Sequence, residues 1–459
     1  MTESPARPRP ALIIAYHYPP SMAVGTQRTL RFVRHLPKFG WRPIVLAPRD
    51  LDLFQPGAAV PPVDARDACV TVFRARVWRP LKAAVTLRHR LRRHRPARAI
   101  TPREPSDPSA GTAAPQGKTS WVVRWVEPWL ATPDEQVGWL PAAVIAAVRA
   151  VRTTGAEVLY TSGPPHSCHL VALCAARLTS KPWVADFRDP WSRRPWLRPE
   201  DRRGLRHGVQ TRLEAAVVRA AARVVLNTDH MEAEFRRHYA DLAGTAKFVT
   251  ITNGFDPDDL PRMPAVRPPD TVFTMSHAGS LYRRRDPRPL VHAVASLRDR
   301  GLIDASSFRL NLVGWTDPAF EADKLVRALR LEDLVRLVPP VTHEESLVFL
   351  AASHVTLIIQ PGTDLQVPGK LFEYLQFGRS ILALAPPGAT ADIIDECGLG
   401  RVAPPEDVAA ISGAIEQYVD DFRRGRLQAA AIEAAARRFD GVALTGRLAA
   451  LFDALTGAP

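Results

Sequence analysis

The sequence predicts an α/β protein built from two Rossmann-like domains, and three observations carry that prediction. Short apolar runs alternate with amphipathic helical stretches through most of the chain, the pattern of parallel strands covered by helices on both faces. The alternation comes in two series, separated by the proline-rich "FDPDDLPRMPAVRPPD" at 255–270, which places two domains with a cleft between them. At 459 residues the chain is also too long for one ordinary core. The expected layout is an N-terminal domain over 1–258, carrying a basic, flexible insert at about 74–117, and a C-terminal domain over 259–430. A last helix at 431–459, whose apolar periodicity begins near Leu427, returns to the first domain.

The first series of strand-like runs is "ALIIAY", "RPIVLA", "EVLYTS", "PWVADF", "RVVLNT" and "FVTITNG". The second is "VFTMSHAGS", "FRLNLVG", "VRLVPP", "HVTLIIQ", "SILALA" and "GRVAP". Each is short, rich in Val, Ile and Leu, and bounded by turn residues, as buried strands are. The first unit opens on "ALIIAYHYPPSMAVGTQRTL" at 11–30, an apolar strand followed by a helix from about Gln27. Its loop has no G-x-G-x-x-G. It holds Tyr16, His17, Tyr18, two prolines and Gly25, so an ordinary dinucleotide cradle is excluded there.

Composition narrows the class. A hydrophobic fraction of 46% and a mean hydropathy of -0.11 describe a soluble globular protein. No run reaches the ~18 apolar residues of a membrane span, and "MTESPARPRP" has no apolar h-region of a secretory signal. Four cysteines form neither a disulfide framework nor a C-x-x-C site, which fits a reduced, cytoplasmic protein. The net charge of +14 is concentrated: residues 74–103 carry many cations and no acid before Glu104. A helix there with Val77, Trp78, Leu81, Val85 and Leu91 on one stripe would lie peripherally on an anionic membrane face, here the inner face. The solvated alternative packs the same residues on the N-terminal domain. After a Pro/Ser/Gly-rich stretch, "SWVVRWVEPWL" puts Trp121, Trp125 and Trp129 on one face of a short helix. Nucleic acid is not an expected partner.

Ligands of open α/β sheets sit at the carboxyl ends of strands, so the loops after each strand matter most. In "QPGTDLQVPGKLFEYLQFG" the spacing rules out a P-loop. What remains is a helix starting near Gly369, with Lys370 in its first turn and Glu373 on the same face. Lys370 can meet a phosphate, and Glu373 can accept both hydroxyls of a ribose; the alternative is a solvated i,i+3 ion pair. In "HAGSLYRRRDPRPL", Gly279 and Ser280 admit a close ligand, and Arg283 to Arg285 can grip a diphosphate. "VADFRDPW" sets Asp186 and Asp189 beside Arg188, a carboxylate pair suited to acid–base work but not the D-x-D of metal-dependent transferases. In "TSGPPHSCHL", His166 and His169 stand at a helix start with no further metal ligands, which leaves substrate contact or helix capping. No metal is expected, and neither G-x-S-x-G nor H-E-x-x-H is present.

As an ordered set, "IIAYHYPPSMAVGTQRTLRFVRHLPKFGWRPIVL", "GWLPAAV", "YTSGPPHSCHL", "WVADFRDPW", "NTDHM", "TNGFDP", "AGSLYRRRDP" and "VPGKLFEYLQFGRSILAL" resemble the family 4 retaining glycosyltransferases. The subgroup acting on cell-surface polysaccharides and secondary metabolites is the most similar. The resemblance runs from Ala11 to about Leu455, leaving out the insert. It implies a GT-B fold that transfers a sugar from a nucleoside-diphosphate sugar to an acceptor hydroxyl, lipid-linked if the insert docks on a membrane. No cofactor is implied; the nucleotide-sugar is a substrate. Arg285 and Lys370 would hold the diphosphate and take part in catalysis, together with Asp186 and His166. Gly25, Gly279, Ser280 and Leu371 would line the donor, with Glu373 on its ribose. Tyr16, Tyr18, His169 and Arg188 would meet the acceptor. One departure stands out: eight positions before Glu373, where the family has its other carboxylate, this chain has Leu365, flanked by Asp364 and Gln366. Two rivals remain, a nucleotide-sugar epimerase of the same fold and a non-catalytic basic binder of membrane or nucleic acid.

Overall fold

The structure, a computed structural model, describes residues 7–21, 25–49, 70–78, 132–195, 197, 199–256, 266–282, 285–427 and 432–457. Two compact units divide the chain: Met1–Val225 with Thr245–Val249 and Thr445–Pro459, and Leu226–Gly244 with Thr250–Leu444. The basic stripe beyond Trp78 and the three tryptophans at 121, 125 and 129 lie outside the described residues.

The first unit holds β1 (Arg9–Ile14), α1 (Gly25–His35), β2 (Trp41–Pro48), β3 (Thr71–Ala75), α2 (Leu140–Thr154), β4 (Val158–Gly163), α3 (Ser167–Thr179), β5 (Trp183–Phe187), α4 (Leu205–Ala220) and β6 (Arg223–Leu226). After α5 (Asp229–His238), β7 (Phe248–Thr250) completes a seven-stranded parallel sheet in the order β3-β2-β1-β4-β5-β6-β7. Ala11 to Ile14 are wholly buried, as expected of a strand covered on both faces.

The second unit holds β8 (Phe273–Ala278), α6 (Arg288–Asp299), β9 (Phe308–Val313), α7 (Ala322–Ala328), β10 (Val335–Val338), α8 (His343–Ala351), β11 (Val355–Ile359), α9 (Gly369–Tyr374), β12 (Ser380–Leu384), α10 (Ala389–Glu396), β13 (Gly400–Ala403), α11 (Val408–Arg423) and α12 (Ile432–Arg438). Its six parallel strands run β10-β9-β8-β11-β12-β13. Side chains alternate between two cores: Leu357, Ile359, Leu382 and Leu384 on one face, Ile358, Ile381 and Ala383 on the other. That two-residue period is the geometry of a strand.

Three features differ from the sequence expectation. A strand at Thr71–Ala75 joins the edge of the first sheet, where the reading has only the approach to the insert. The chain first enters the second unit at 225/226, returns to the first over Thr245–Val249 and leaves it again at 249/250, where the sequence places one passage at 258/259. Thr228 explains it: its hydroxyl accepts from Met231 N at 3.1 Å to start α5 and donates to Leu365 O at 2.6 Å, tying this stretch to the second unit. The single last helix is two, α12 and α13 (Gly441–Thr456). The chain turns at Phe439–Asp440, where Phe255 N donates to Phe439 O at 3.1 Å and Asp440 Oδ1 caps Ala443 N at 2.7 Å. From Thr445 onward α13 belongs to the first unit. There Phe452 meets Trp41 edge-to-face at 5.3 Å, and Asp453 accepts from Trp41 Nε1 at 3.1 Å.

Candidate anion site and a buried polar cluster

In each sheet the chain runs outward in one direction and then the other, so each has a point where the winding reverses. Crevices form there, at the carboxyl ends of the two diverging strands. In the second unit these strands are β8 and β11, and the residues read from sequence as donor contacts cluster at their ends.

Gly279 ends β8 with φ +139°, a conformation that favours glycine. A side chain is excluded as well as disfavoured, because a Cβ there would stand 1.3 Å from Lys370 Nζ. Lys370, in the first turn of α9, reaches back to donate to Ala278 O at 2.5 Å. Burial, then the neighbouring Arg285, lowers its pKa to about 8. Arg285 donates to Gln360 Oε1 at 3.3 Å and lies over the Tyr282 ring at 5.3 Å. His277 is 3% exposed, with Nδ1 on Leu357 O at 2.9 Å. Burial, then Lys370, holds that imidazole neutral with a pKa near 3. Two cations at the Ala278–Gly279 strand end, one of them partly desolvated, form a site that gains from an anion.

Glu373 is half-buried one turn after Lys370, as the spacing predicts. Its ion pair, however, is with His343 Nε2 at 3.1 Å rather than with Lys370. The sequence reading missed His343. The available signal was the helix start "THEE", with its capping-box spacing. Ser280 lies beside Gly279, half-buried. Leu371 requires correction as a donor contact: its side chain is wholly buried in the core, and its amide donates to Pro368 O at 3.0 Å. Leu365 is 9% exposed, with its carbonyl taken by Thr228, so no carboxylate reads a ligand from that position. Next to it, Asp364 and Glu406 border a recess of about 430 Å³ walled by Pro361, Pro386, Pro404 and Pro405. Neither Lys370 nor Arg285 lines it. Arg283 and Arg284 lie outside the described residues.

In the first unit the diverging strands are β1 and β4. Asp186, near the end of β5, is fully buried and accepts from Arg28 Nε at 2.8 Å, Arg28 Nη2 at 2.9 Å, Tyr160 Oη at 2.6 Å and Ser162 Oγ at 2.9 Å. Burial alone would raise its pKa, but Arg28 and the hydrogen bonds bring it below the ordinary value. Its four hydrogen bonds anchor α1 to β5, and its wholly buried side chain has no surface exposed to a substrate. His166 and His169 are both buried. The His166 ring lies parallel to Trp191 at 4.6 Å, and His169 Nδ1 is 2.8 Å from Thr161 Oγ1. His166 Nδ1 and His169 Nε2 have no hydrogen-bond partner among the described residues. A Cβ on Gly163 would come within 3.2 and 2.5 Å of these two nitrogens.

Burial first, and then the charges around them, pushes the His166 pKa well below the ordinary histidine value, and burial takes His169 to about 3. Burial thus keeps both imidazoles neutral, as hydrogen-bonding groups. Nor do they cap α3. Asp134 does, accepting from Ser167 N at 2.9 Å and Ser167 Oγ at 2.5 Å. Arg188 donates to Pro164 O and lies against Gly25, where a Cβ would meet its Nη1 at 2.3 Å. Gly25, read as a donor contact, thus makes room for Arg188. Tyr16 and Tyr18 are each 3% exposed. The Tyr16 ring packs edge-on against Trp139 at 5.5 Å, which fixes it under the loop. Among the described residues no three His, Cys, Asp or Glu side chains are arranged to hold a metal ion, and no helix is long and apolar enough to cross a membrane.

No protein-family model matches the chain. A D-inositol 3-phosphate glycosyltransferase from Nocardiopsis dassonvillei is 27% identical over 212 residues, covering 43% of this chain and 48% of the relative. The match thus spans about half the length of that protein. Among solved structures, a sucrose-phosphate synthase from Thermosynechococcus elongatus superposes with a TM-score of 0.65 at 17% identity, over 98% of this chain and 100% of the other. The Anabaena protein HepE in complex with UDP superposes at 0.60 and 14% identity, over 97% of this chain and 100% of the other. With two parallel-sheet Rossmann-like units of seven and six strands, this chain shares the GT-B-type fold of glycosyltransferases.

Proposed function

We propose that the chain is a glycosyltransferase whose second unit binds a nucleoside-diphosphate sugar at Gly279, Arg285 and Lys370. The observation that carries this reading is the Lys370 ammonium, seated against the Gly279 α-carbon and sharing its surroundings with Arg285. A diphosphate leaving group develops negative charge as the glycosyl bond breaks, and preorganised cations stabilise it without reorganisation. Glu373 accepts from the ribose hydroxyls. The UDP complex of HepE and the name of the Nocardiopsis relative support the same chemistry.

The finer features belong to this proposal. Transfer proceeds with retention, as in family 4, and without a metal. The acceptor is a hydroxyl compound that meets the polar cluster of the first unit, where His166, His169 and Arg188 offer hydrogen bonds. Residues 74–103 make peripheral contact with an anionic membrane, which favours a lipid-linked acceptor in polysaccharide, glycolipid or secondary-metabolite synthesis. The epimerase alternative needs a working carboxylate pair, and Asp186 is consumed by Arg28.

The test is turnover of UDP-, GDP-, ADP- and dTDP-sugars in excess EDTA, with and without acceptor candidates, followed as release of nucleoside diphosphate. Release from one donor class, retained in EDTA and lost in Lys370→Ala, is expected. Release of none, or appearance of a free epimer without acceptor, contradicts the reading.

A further inference from the structure

Helix α8 begins with a closed capping box: Thr342 Oγ1 accepts from Glu345 N at 3.2 Å, and Glu345 Oε2 accepts from Thr342 N at 2.8 Å. Such a box fixes the first turn of a helix, and His343 is the first residue of that turn. Its Nε2 lies 3.1 Å from Glu373 Oε1. The imidazole is 62% exposed and the carboxylate only 27%, so a surface side chain is set against a half-buried one.

A carboxylate accepts two hydroxyl hydrogen bonds only when it is ionised and correctly turned. Burial works against ionisation, raising the Glu373 pKa, while His343 and then Lys370 pull it down. The charged and titratable groups acting on Glu373 are His343 from α8 and, on its own helix, Lys370 and the adjoining Tyr374. Arg285 bears on it through Lys370.

We propose that His343 is the positioning residue for the ribose-reading carboxylate, its Nε2–H anchoring Glu373 Oε1 so that Oε2 accepts from the nucleotide's diol. The inference rests on the reading of Lys370 and Arg285 as a nucleoside-diphosphate site. It adds a residue from a separate helix, 30 positions earlier in the chain than Glu373, to the recognition of the donor.

The experiment is calorimetric titration of the full chain with UDP, GDP and ADP, the tightest-binding nucleotide then being measured against variants. His343→Ala should weaken binding by about fivefold, the scale of one net hydrogen bond. His343→Gln, which keeps a donor at similar reach, should restore most of the affinity. In a Glu373→Gln background the His343→Ala change should cost nothing further, because coupled residues are not additive. On acidification, His343→Ala should lose affinity at a higher pH than the parent, since the carboxylate has lost the partner that keeps it ionised. Lys370→Ala separates the two levels of the argument. Loss of binding in that variant with unchanged binding in His343→Ala overturns the inference and leaves the site standing. Equal losses from His343→Ala with and without Glu373 also overturn it. Binding of none of the three nucleotides to the parent removes the site, and the inference with it.

Discussion

Lys370 carries its charge in a place that makes the charge costly, and that is what a diphosphate would relieve. Its pKa of about 8 means that the free protein loses the proton as pH rises through that value. Affinity for UDP or another nucleoside diphosphate should therefore fall across the same range, measured by titration at several pH values. Lys370→Ala should show no such limb and should reduce turnover roughly 100-fold, the scale of losing one preorganised charge partner. Gly279→Ala makes an independent prediction about the same atom. A Cβ 1.3 Å from Nζ must expel the lysine, so nucleotide binding should drop as far as in Lys370→Ala while the unit still folds; unchanged affinity would remove Gly279 from the site. Lys370, Glu373 and Gly279 were legible in the sequence because a first-turn cation, an i,i+3 carboxylate and a strand-end glycine are local patterns. His343 was not, since its contact with Glu373 is tertiary. The partners of Asp186 were not legible for the same reason: Arg28 lies 158 positions away.

At the level of elements, the Arg28–Asp186 pair joins α1 to β5 in a setting where both side chains are almost wholly buried, 3% and 0% exposed. Removing one partner of such a pair leaves an uncompensated buried charge, at a cost of about 3–5 kcal/mol. Asp186→Ala should therefore lower the unfolding free energy of the first unit, read from denaturant titration, by that much, whereas a loss near zero would show that α1 is held by apolar packing alone. Twelve of the described strands follow the apolar runs of the sequence. Thr71–Ala75 escaped because "TVFRA" is an edge strand whose second half already belongs to the cationic run, so neither alternation nor hydrophobicity sets it apart. The division of the last helix at Asp440 escaped because apolar periodicity continues across it. Only the Asp-Gly pair and the contacts of Phe439 with Gly254 and Phe372 mark the break.

For the molecule as a whole, the two-sheet architecture was readable from the double series of strands, and the boundary was not, because Thr228 and Phe255 commit their segments to the second unit through side-chain and backbone hydrogen bonds. The buried and half-buried histidines predict a pH dependence of stability. His17, His166, His169, His277 and His354 all have pKa values below the ordinary 6.5, with burial the first cause in each. The unfolded chain therefore binds more protons than the folded one between that value and the folded pKa values of about 3 to 4. The contribution of these histidines to stability is therefore complete above pH 6.5 and should fall as pH drops through this window. Thermal unfolding followed from neutral pH downward should show this loss, with a shallower slope in His169→Gln.

The central claim, a nucleoside-diphosphate site built on Gly279, Arg285 and Lys370, is tested most directly by a crystal structure of the chain with the nucleotide that binds it. The diphosphate should lie within hydrogen-bond distance of Lys370 Nζ and the Arg285 guanidinium, over the Gly279 backbone, with the ribose on Glu373. A nucleotide bound elsewhere in the chain, with Lys370 still donating to Ala278 O, would contradict it.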